Sequence, residues 1–298
     1  IADLAERFMV ALTGLVRHCR ARQVRQFTRS DFPLVELDES RLNMLQEKYP
    51  DIDDIWPLGP MQHIMLTHAR RVPDSVAYHE QLWLTLEGAL DEHALETAWQ
   101  GLIARHGSLR VAFPHDDGGP VQIVRRTARP RWSFADWTAL PPDMLESDLA
   151  NFLTKDRAGG FDLSGGDVLR AALLRHSRTR HTLVLSFHHI LLDGWSVPMV
   201  LRELLELYHA AHQDRAAALP APGSYRDYLA WHGSADRNTS RAFWTSRLNG
   251  AVLPCRLNLP GGSATETADS AGEVHARILE RLTAKIQTAA QALRVTAN

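Results

Sequence analysis

The 298-residue chain has only two cysteines, Cys19 and Cys255. Two thiols cannot build a disulfide framework, and neither lies in a CxxC or cysteine–histidine spacing of the kind that holds zinc. We therefore expect a reducing compartment, the cytoplasm, and no structural metal. The sequence also lacks any run of about eighteen apolar residues, so it predicts no membrane-spanning helix.

Neither sign of charge is in excess. Thirty-three lysines and arginines face thirty-five aspartates and glutamates, which leaves a formal net charge of −2. This balance provides no positive field for nucleic acid and no polybasic membrane anchor. The chain starts at Ile1, followed by acidic residues rather than a basic and then an apolar stretch. It therefore lacks a signal-peptide pattern, and we expect a fragment of a longer polypeptide.

Hydrophobic spacing predicts interleaved helices and strands. The predicted helices cover Leu4 to Cys19, Glu39 to Tyr49, Met61 to Arg70, Ala94 to Ile103, Pro142 to Lys155, Val197 to His212, Ser224 to Leu248 and Leu282 to Leu293. The predicted strands cover Ala77 to Leu90, a hairpin of Ser108 to Phe113 with Pro120 to Val124, Val168 to Leu174, and Thr182 to Ile190. A hairpin among alternating elements favours an α+β fold, with one mixed sheet covered by helices. Residues 259–272, rich in Gly, Ser and Thr, are expected to form a loop.

The segment that carries the chemistry follows the last predicted strand. It reads Phe187-His188-His189-Ile190-Leu191-Leu192-Asp193-Gly194-Trp195-Ser196. Successive strand residues point to opposite faces, so one histidine is expected to face a cavity and the other to pack inside. We expect a buried carboxylate of Asp193 to brace the loop, Gly194 to allow a sharp turn, and Trp195 to pack back on the sheet.

Other chemistries fit the same residues poorly. Two histidines on an apolar strand are often satisfied core residues, but here a strand, an HHxxxDG spacing and a helix occur together. A metal site on His189 and Asp193 lacks further ligands at suitable spacing. The sequence has no GxSxG elbow of a serine hydrolase.

Four motifs in order resemble the condensation domains of nonribosomal peptide synthetases, in the chloramphenicol acetyltransferase-like superfamily. They are Asp54-Ile55-Trp56-Pro57-Leu58-Gly59-Pro60-Met61-Gln62, Arg105-His106-Gly107-Ser108-Leu109-Arg110-Val111-Ala112-Phe113, the HHxxxDG element, and Tyr225-Arg226-Asp227-Tyr228-Leu229-Ala230-Trp231. The resemblance implies an acyltransferase of antibiotic or other secondary-metabolite synthesis. It would join a donor thioester to the α-amino group of an acceptor, both held on phosphopantetheine arms of carrier proteins, with no cofactor of its own.

The resemblance also implies roles for single residues. His189 is the expected catalytic residue, as general base or as a positioning group, and His188 is structural. Asp193 is expected to pair with an arginine, for which Arg110 is the candidate because a buried carboxylate needs a counter-charge. The backbone N–H of Gly194 could help hold an oxyanion. Packing or tunnel-shaping roles fall to Trp195, Ser196, Pro57, Met61 and Gln62, and core roles to Tyr225 and Trp231.

Finer similarity suggests a D-configured donor. The Ile-Leu-Leu-Asp-Gly-Trp-Ser run and the opening motif resemble domains of that subtype. Residues 1–50 resemble the end of an epimerization domain and its linker, 51–220 the first lobe, and 221–298 the start of a second lobe. Adjacent epimerization and adenylation domains would be partners. The first lobe would be complete and the second partial, so the fragment alone would be weakly active or inactive. The alternatives are a non-catalytic condensation-like module that recruits an enzyme, and an epimerization domain.

Overall fold

The computed structural model describes residues 2–21, 26–73, 75–128, 131–250 and 276–297. The chain divides into two compact units, Ile1–Asp236 and Arg237–Asn298. The first unit contains every motif named above. Among the described residues, no helix is long and apolar enough to cross a membrane.

The first unit alternates helices with strands. Its helices are α1 (Ala2–Ala21), α2 (Glu39–Lys48), α3 (Pro60–Arg71), α4 (Glu92–Arg105), α5 (Leu145–Ala158), α6 (Ser196–His212) and α7 (Tyr225–Ser234). Its strands are β1 (Ile52–Pro57), β2 (His79–Glu87), β3 (Val111–Ala112), β4 (Val121–Arg125), β5 (Arg131–Asp136), β6 (Leu169–Ser177) and β7 (Arg180–His188). Side-chain caps begin several helices: Asp91 accepts the N–H of Ala94 at α4, and Ser224 accepts that of Asp227 at α7.

The described strands form two sheets. The smaller has the order β1-β4-β3 and is antiparallel, and it contains the predicted hairpin, with Val111 opposite Val124. The larger has the order β2-β7-β6-β5, in which β5 runs parallel to β6 and the other pairs are antiparallel. The expected α+β class is confirmed, with its helices and mixed strand directions. The single expected sheet is two sheets.

The larger sheet is covered on both faces, which explains why β7 is buried at every residue after Arg180. One face packs against α4 and α6 through a core that includes Trp99, Leu102, Leu173 and Leu204. The other face meets α5, where Ala172, Leu174 and Val184 contact Leu149, Phe152 and Leu153. The strand that ends at His188 is therefore packed on both of its faces.

The residues that precede the opening motif are packed rather than free. Phe32, Leu42, Leu45 and Tyr49 are buried against Ile52, Ile55 and Ile123 of the small sheet. Leu42 and Leu45 face inward, as the spacing predicts. By contrast, the described side chains of α1 are exposed. The assignment of 1–50 to a neighbouring domain and its linker stays a prediction.

The boundary between the two units lies between Asp236 and Arg237. Helix α7 thus packs with the first unit, through Leu229 and Tyr225. The second unit contains α8 (Arg237–Arg247) and α9 (Glu280–Leu293). The predicted helix over Ser224 to Leu248 is two helices, and the predicted loop 259–272 lies outside the described residues.

Candidate active site

The two motif histidines end the central strand and continue its hydrogen bonding. The backbone N–H of His188 donates to the carbonyl of Val168 at 3.0 Å, on the β6 side. The N–H of His189 donates to the carbonyl of Tyr78 at 2.7 Å, on the β2 side. The backbones of both histidines are therefore hydrogen-bonded to adjacent segments of the sheet, although β7 itself ends at His188.

His188 packs inside, as the sequence predicts. It is 2% exposed, and its Nδ1 accepts the N–H of Ile190 at 3.1 Å. An Nδ1 that accepts carries no proton, so the neutral ring is protonated on Nε2. Its neighbours are the rings of Tyr78, His79 and Phe161. Burial, helped by nearby histidines, lowers the pKa of His188 to about 4, so the ring is neutral at pH 7.

His189 is half-buried. Its Nδ1 is buried and has no hydrogen-bond partner among the described residues. This leaves Nε2 as the nitrogen that can meet a ligand. The two histidines differ in environment, but His188 lines the larger of the two cavities described below, whereas His189, the histidine expected to face the tunnel, lines neither.

The expectations for Asp193 and its neighbours need correction. Asp193 is exposed, not buried, and its Oδ1 accepts the N–H groups of Trp195 and Ser196 and the hydroxyl of Ser196 at 2.6 Å. The Ser196 hydroxyl and these N–H groups lower the pKa of Asp193. Trp195 is 87% exposed and does not pack on the sheet. Gly194 needs no positive φ, and a Cβ there would meet nothing within 4 Å.

Arg110 is not the partner of Asp193 in this structure. Its Nη2 lies 3.8 Å from Oδ2 of Asp53, and its Nη1 donates to the carbonyl of Arg125. The Arg110 side chain is 13% exposed. The prediction failed because Asp193 is exposed and satisfied by local N–H and O–H donors, and so requires no buried counter-charge.

Gln62 ties the opening motif to the HHxxxDG loop. Its Oε1 accepts the N–H of Gly59 at 2.9 Å, and its Nε2 donates to the carbonyl of Ile190 at 3.2 Å. The hydroxyl of Tyr225 also donates to Oε1 of Gln62 at 3.3 Å. Of the other two residues singled out in this motif, Pro57 is half-buried and Met61 is 58% exposed.

The fourth motif docks on the first. Asp54 accepts from Nε of Arg226 at 3.0 Å and from Nε1 of Trp56 at 2.7 Å, and the Trp56 ring packs on Tyr225. Burial raises the pKa of Tyr225 to about 12, so its hydroxyl keeps its proton. Trp231, expected in the core, is 66% exposed.

The second motif supports the helix that follows the histidines. Nε2 of His106 and Nε of Arg105 donate to Oε2 of Glu203 on α6, at 2.7 and 2.9 Å. Burial opposes ionisation of Glu203, but these two hydrogen bonds outweigh it and lower its pKa. Sequence reasoning did not identify Glu203, because its partners lie about a hundred residues away.

A buried ionic network lies under the histidines on the α5 side. Arg170 of β6 donates to Oδ1 of Asp156 at 2.6 Å, and Ser186 and Gln81 donate to its Oδ2. The Arg170 guanidinium also lies over the Phe161 ring at 4.3 Å. Sequence reasoning missed this network as well. The sequence did contain a signal for this network: the arginine within the apolar run Val168 to Leu174, because a charged residue on a buried strand needs a partner.

Two cavities flank the motif. The larger, about 580 Å³, is lined by His188, His79, Phe161, Arg70 and Arg157 among others. The smaller, about 180 Å³, is lined by Gln62, Ser196, Glu203 and Tyr225 among others. Within the described residues, no group of three or more His, Cys, Asp or Glu is arranged to hold a metal ion.

This fold recurs in solved condensation domains. The starter condensation domain of rhizomide synthetase RzmA superposes with a TM-score of 0.60 at 21% identity, covering 67% of this chain and 51% of that one. The first condensation domain of the calcium-dependent antibiotic synthetase superposes with a TM-score of 0.57 at 24% identity, covering 66% and 48%. At these identities the likeness establishes the fold alone, a mixed α+β fold shared with these condensation domains.

The sequence comparisons establish the family. The family model described as Condensation domain matches residues 52–298. A linear gramicidin synthase of Brevibacillus parabrevis is 33% identical over 299 residues, and bacitracin synthase 1 of Bacillus licheniformis is 31% identical over 301. Each match covers all of this chain and 6% of the synthase. The chain belongs to the condensation-domain family.

Proposed function

We propose that this domain forms the amide bond of nonribosomal peptide synthesis. The observation that carries the proposal is the intact HHxxxDG element, in which a buried neutral His188 accepts the N–H of Ile190 and the Nδ1 of the half-buried His189 has no hydrogen-bond partner among the described residues. Family membership through residues 52–298 supports the same reaction class.

In the proposed reaction, the α-amino nitrogen of the acceptor attacks the thioester carbonyl carbon of the donor. A C–N bond forms, the C–S bond breaks, and the donor carrier's thiol is released. The nitrogen must lose a proton, and in this proposal Nε2 of His189 accepts it or stabilises the charged intermediate. Open space at Gly194 would let its backbone N–H approach the developing oxyanion.

The proposed partners are the upstream and downstream carrier proteins, whose phosphopantetheine arms bring the two substrates. We also propose that epimerization and adenylation domains adjoin this domain in one cytoplasmic megasynthetase. The Ile190-Leu191-Leu192-Asp193-Gly194 run and the similarity of residues 1–50 to the end of an epimerization domain favour a D-configured donor. Residues 51–220 and 221–298 are proposed as the first lobe and the start of the second.

The test uses the whole parent module with its carriers. The upstream carrier is loaded with a D- or an L-aminoacyl donor and the downstream carrier with its amino acid. Intact mass spectrometry then weighs the downstream carrier. We expect condensed product from the D donor only, and none from His189→Ala.

The controls separate the alternatives. Product from the L donor alone would support condensation activity but reject the D-donor subtype. A downstream carrier that stays uncondensed with both verified donors would favour the recruiting module. Exchange of the donor's α-hydrogen for solvent deuterium without condensation would favour an epimerization domain.

A further inference from the structure

Tyr78 lies in a backbone conformation that tyrosine rarely adopts. Its φ is +67°, in the left-handed region. It is the third residue of a turn closed by the N–H of His79, which donates to the carbonyl of Val76 at 3.1 Å. A positive φ at this turn position favours glycine or asparagine. A tyrosine there is therefore strained and must be held by its surroundings.

The carbonyl of this strained residue is the acceptor for His189. Strand β2 begins at His79, which lies opposite His188, the last residue of β7. Just outside this pair of strands, the N–H of His189 donates to the carbonyl of Tyr78 at 2.7 Å. This hydrogen bond joins the residue that follows β7 to the residue that precedes β2. The conformation of Tyr78 thus determines where the backbone of His189 is tethered.

The ring of Tyr78 supplies the contacts that hold the conformation. It meets the ring of His68 on α3 edge-on, with centroids 5.4 Å apart. It lies 6.1 Å from the ring of His188, and it packs on the core that contains Ile190. A glycine would adopt the turn without strain but would make none of these contacts, so it could leave the conformation freely.

We propose that Tyr78 is a positioning residue for His189. Through its carbonyl it fixes the backbone of His189, and through its ring it braces His188, so one residue orients both motif histidines. It need not touch a substrate. The inference rests on the proposed function, because it assumes that the placement of His189 limits the rate.

The test compares Tyr78→Gly with Tyr78→Phe in the complete module. Phenylalanine keeps the ring and should match the native rate. Glycine should lower kcat by about 10- to 100-fold while the KM for the loaded carriers stays within twofold, because small misplacements of a reacting group carry costs of this size. Where Tyr78→Gly fails to fold, Tyr78→Asn serves the same purpose, since asparagine tolerates positive φ.

A second readout does not depend on turnover. Hydrogen–deuterium exchange of the peptide covering 185–193 should be faster at the His189 amide in Tyr78→Gly than in Tyr78→Phe. A folded glycine variant with native kcat, or with native exchange in this peptide, overturns the proposal. If the native module itself forms no condensed product, the proposed function fails, whereas the exchange result still tests the contact.

Discussion

The backbone N–H of Ile190 donates to Nδ1 of His188, two residues earlier, at 3.1 Å. A protonated Nδ1 could not accept this bond, so the contact selects the neutral ring with its proton on Nε2. The contact and the burial of the ring therefore both favour one protonation state at the centre of the motif.

The first prediction concerns stability below neutral pH. The pKa of His188 is about 4 in the fold and 6.5 ordinarily, so between these values the unfolded chain binds more protons than the folded one. Its contribution to the free energy of unfolding should be constant above pH 6.5 and fall by about 3 kcal/mol towards pH 4. Urea denaturation at pH 7 and pH 5 should show a smaller drop for His188→Gln than for the native domain.

The exposed His63 provides the matched control for that comparison. His63→Gln should keep the native difference between the two pH values. An equal drop for His188→Gln and the native domain would show that His188 does not carry the effect.

The second prediction concerns the ion pair of Arg170 with Asp156. Asp156→Asn removes the charge that compensates a guanidinium buried on β6, and breaking such a pair is strongly destabilising. We expect the free energy of unfolding to fall by about 3 kcal/mol, measured by chemical denaturation. Asp3→Asn, which breaks an exposed pair with Arg7 on α1, should change it by less than about 0.5 kcal/mol. Equal effects of the two variants would contradict the difference in burial.

The third prediction concerns the contribution of Gln62 to stability and condensation rate, with Met61 as the control position. Gln62→Leu removes the partners of the Gly59 N–H and the Ile190 carbonyl inside the fold. Each unsatisfied buried group costs roughly 1–3 kcal/mol, so we expect a loss of about 3 kcal/mol and a lower condensation rate. Met61→Leu changes an exposed side chain in the same turn and should leave both quantities unchanged. A native-like Gln62→Leu would mean that other groups hold the loop.

The fourth prediction separates two roles of Asp193. As the acceptor of the N–H groups of Trp195 and Ser196 just before and at the start of α6, it can be replaced by asparagine, whose amide oxygen can accept the same hydrogen bonds. We expect Asp193→Asn to retain native stability and Asp193→Ala to lose about 1 kcal/mol in thermal denaturation. If asparagine costs more than alanine, the carboxylate charge has a buried partner after all, and the sequence-based pairing returns.

The regular elements could be predicted where a period is clear. Leu42 and Leu45 of α2 and the apolar run of β7 are confirmed, because helical and buried-strand periodicities are local properties. Strand β1 was missed because Asp53 and Asp54 interrupt its apolar pattern, and Asp54 is held there by Arg226, far along the chain. Strand β5 was missed because it is mostly exposed and reads as polar.

The motif residues could be located from the sequence, but their partners could not. A motif fixes which residues are neighbours in the chain, and it says little about exposure, which is why Asp193 was expected to be buried. The buried partners come from distant elements, such as Asp156 of α5 for Ser186 of β7. Tyr78 carried no sequence signal at all, since its strain is visible only in its φ.

The strand order also determines which sheet can form first while the chain is being synthesised. Strand β7 is the last of the described strands along the chain, yet it lies between β2 and β6, with pairs such as His79 opposite His188. On a ribosome, the small sheet of residues 52–125 can close first, whereas β2 must wait about a hundred residues for its neighbour. The histidines arrive at the end of that insertion, so the HHxxxDG loop is assembled only after every other described strand has been synthesised.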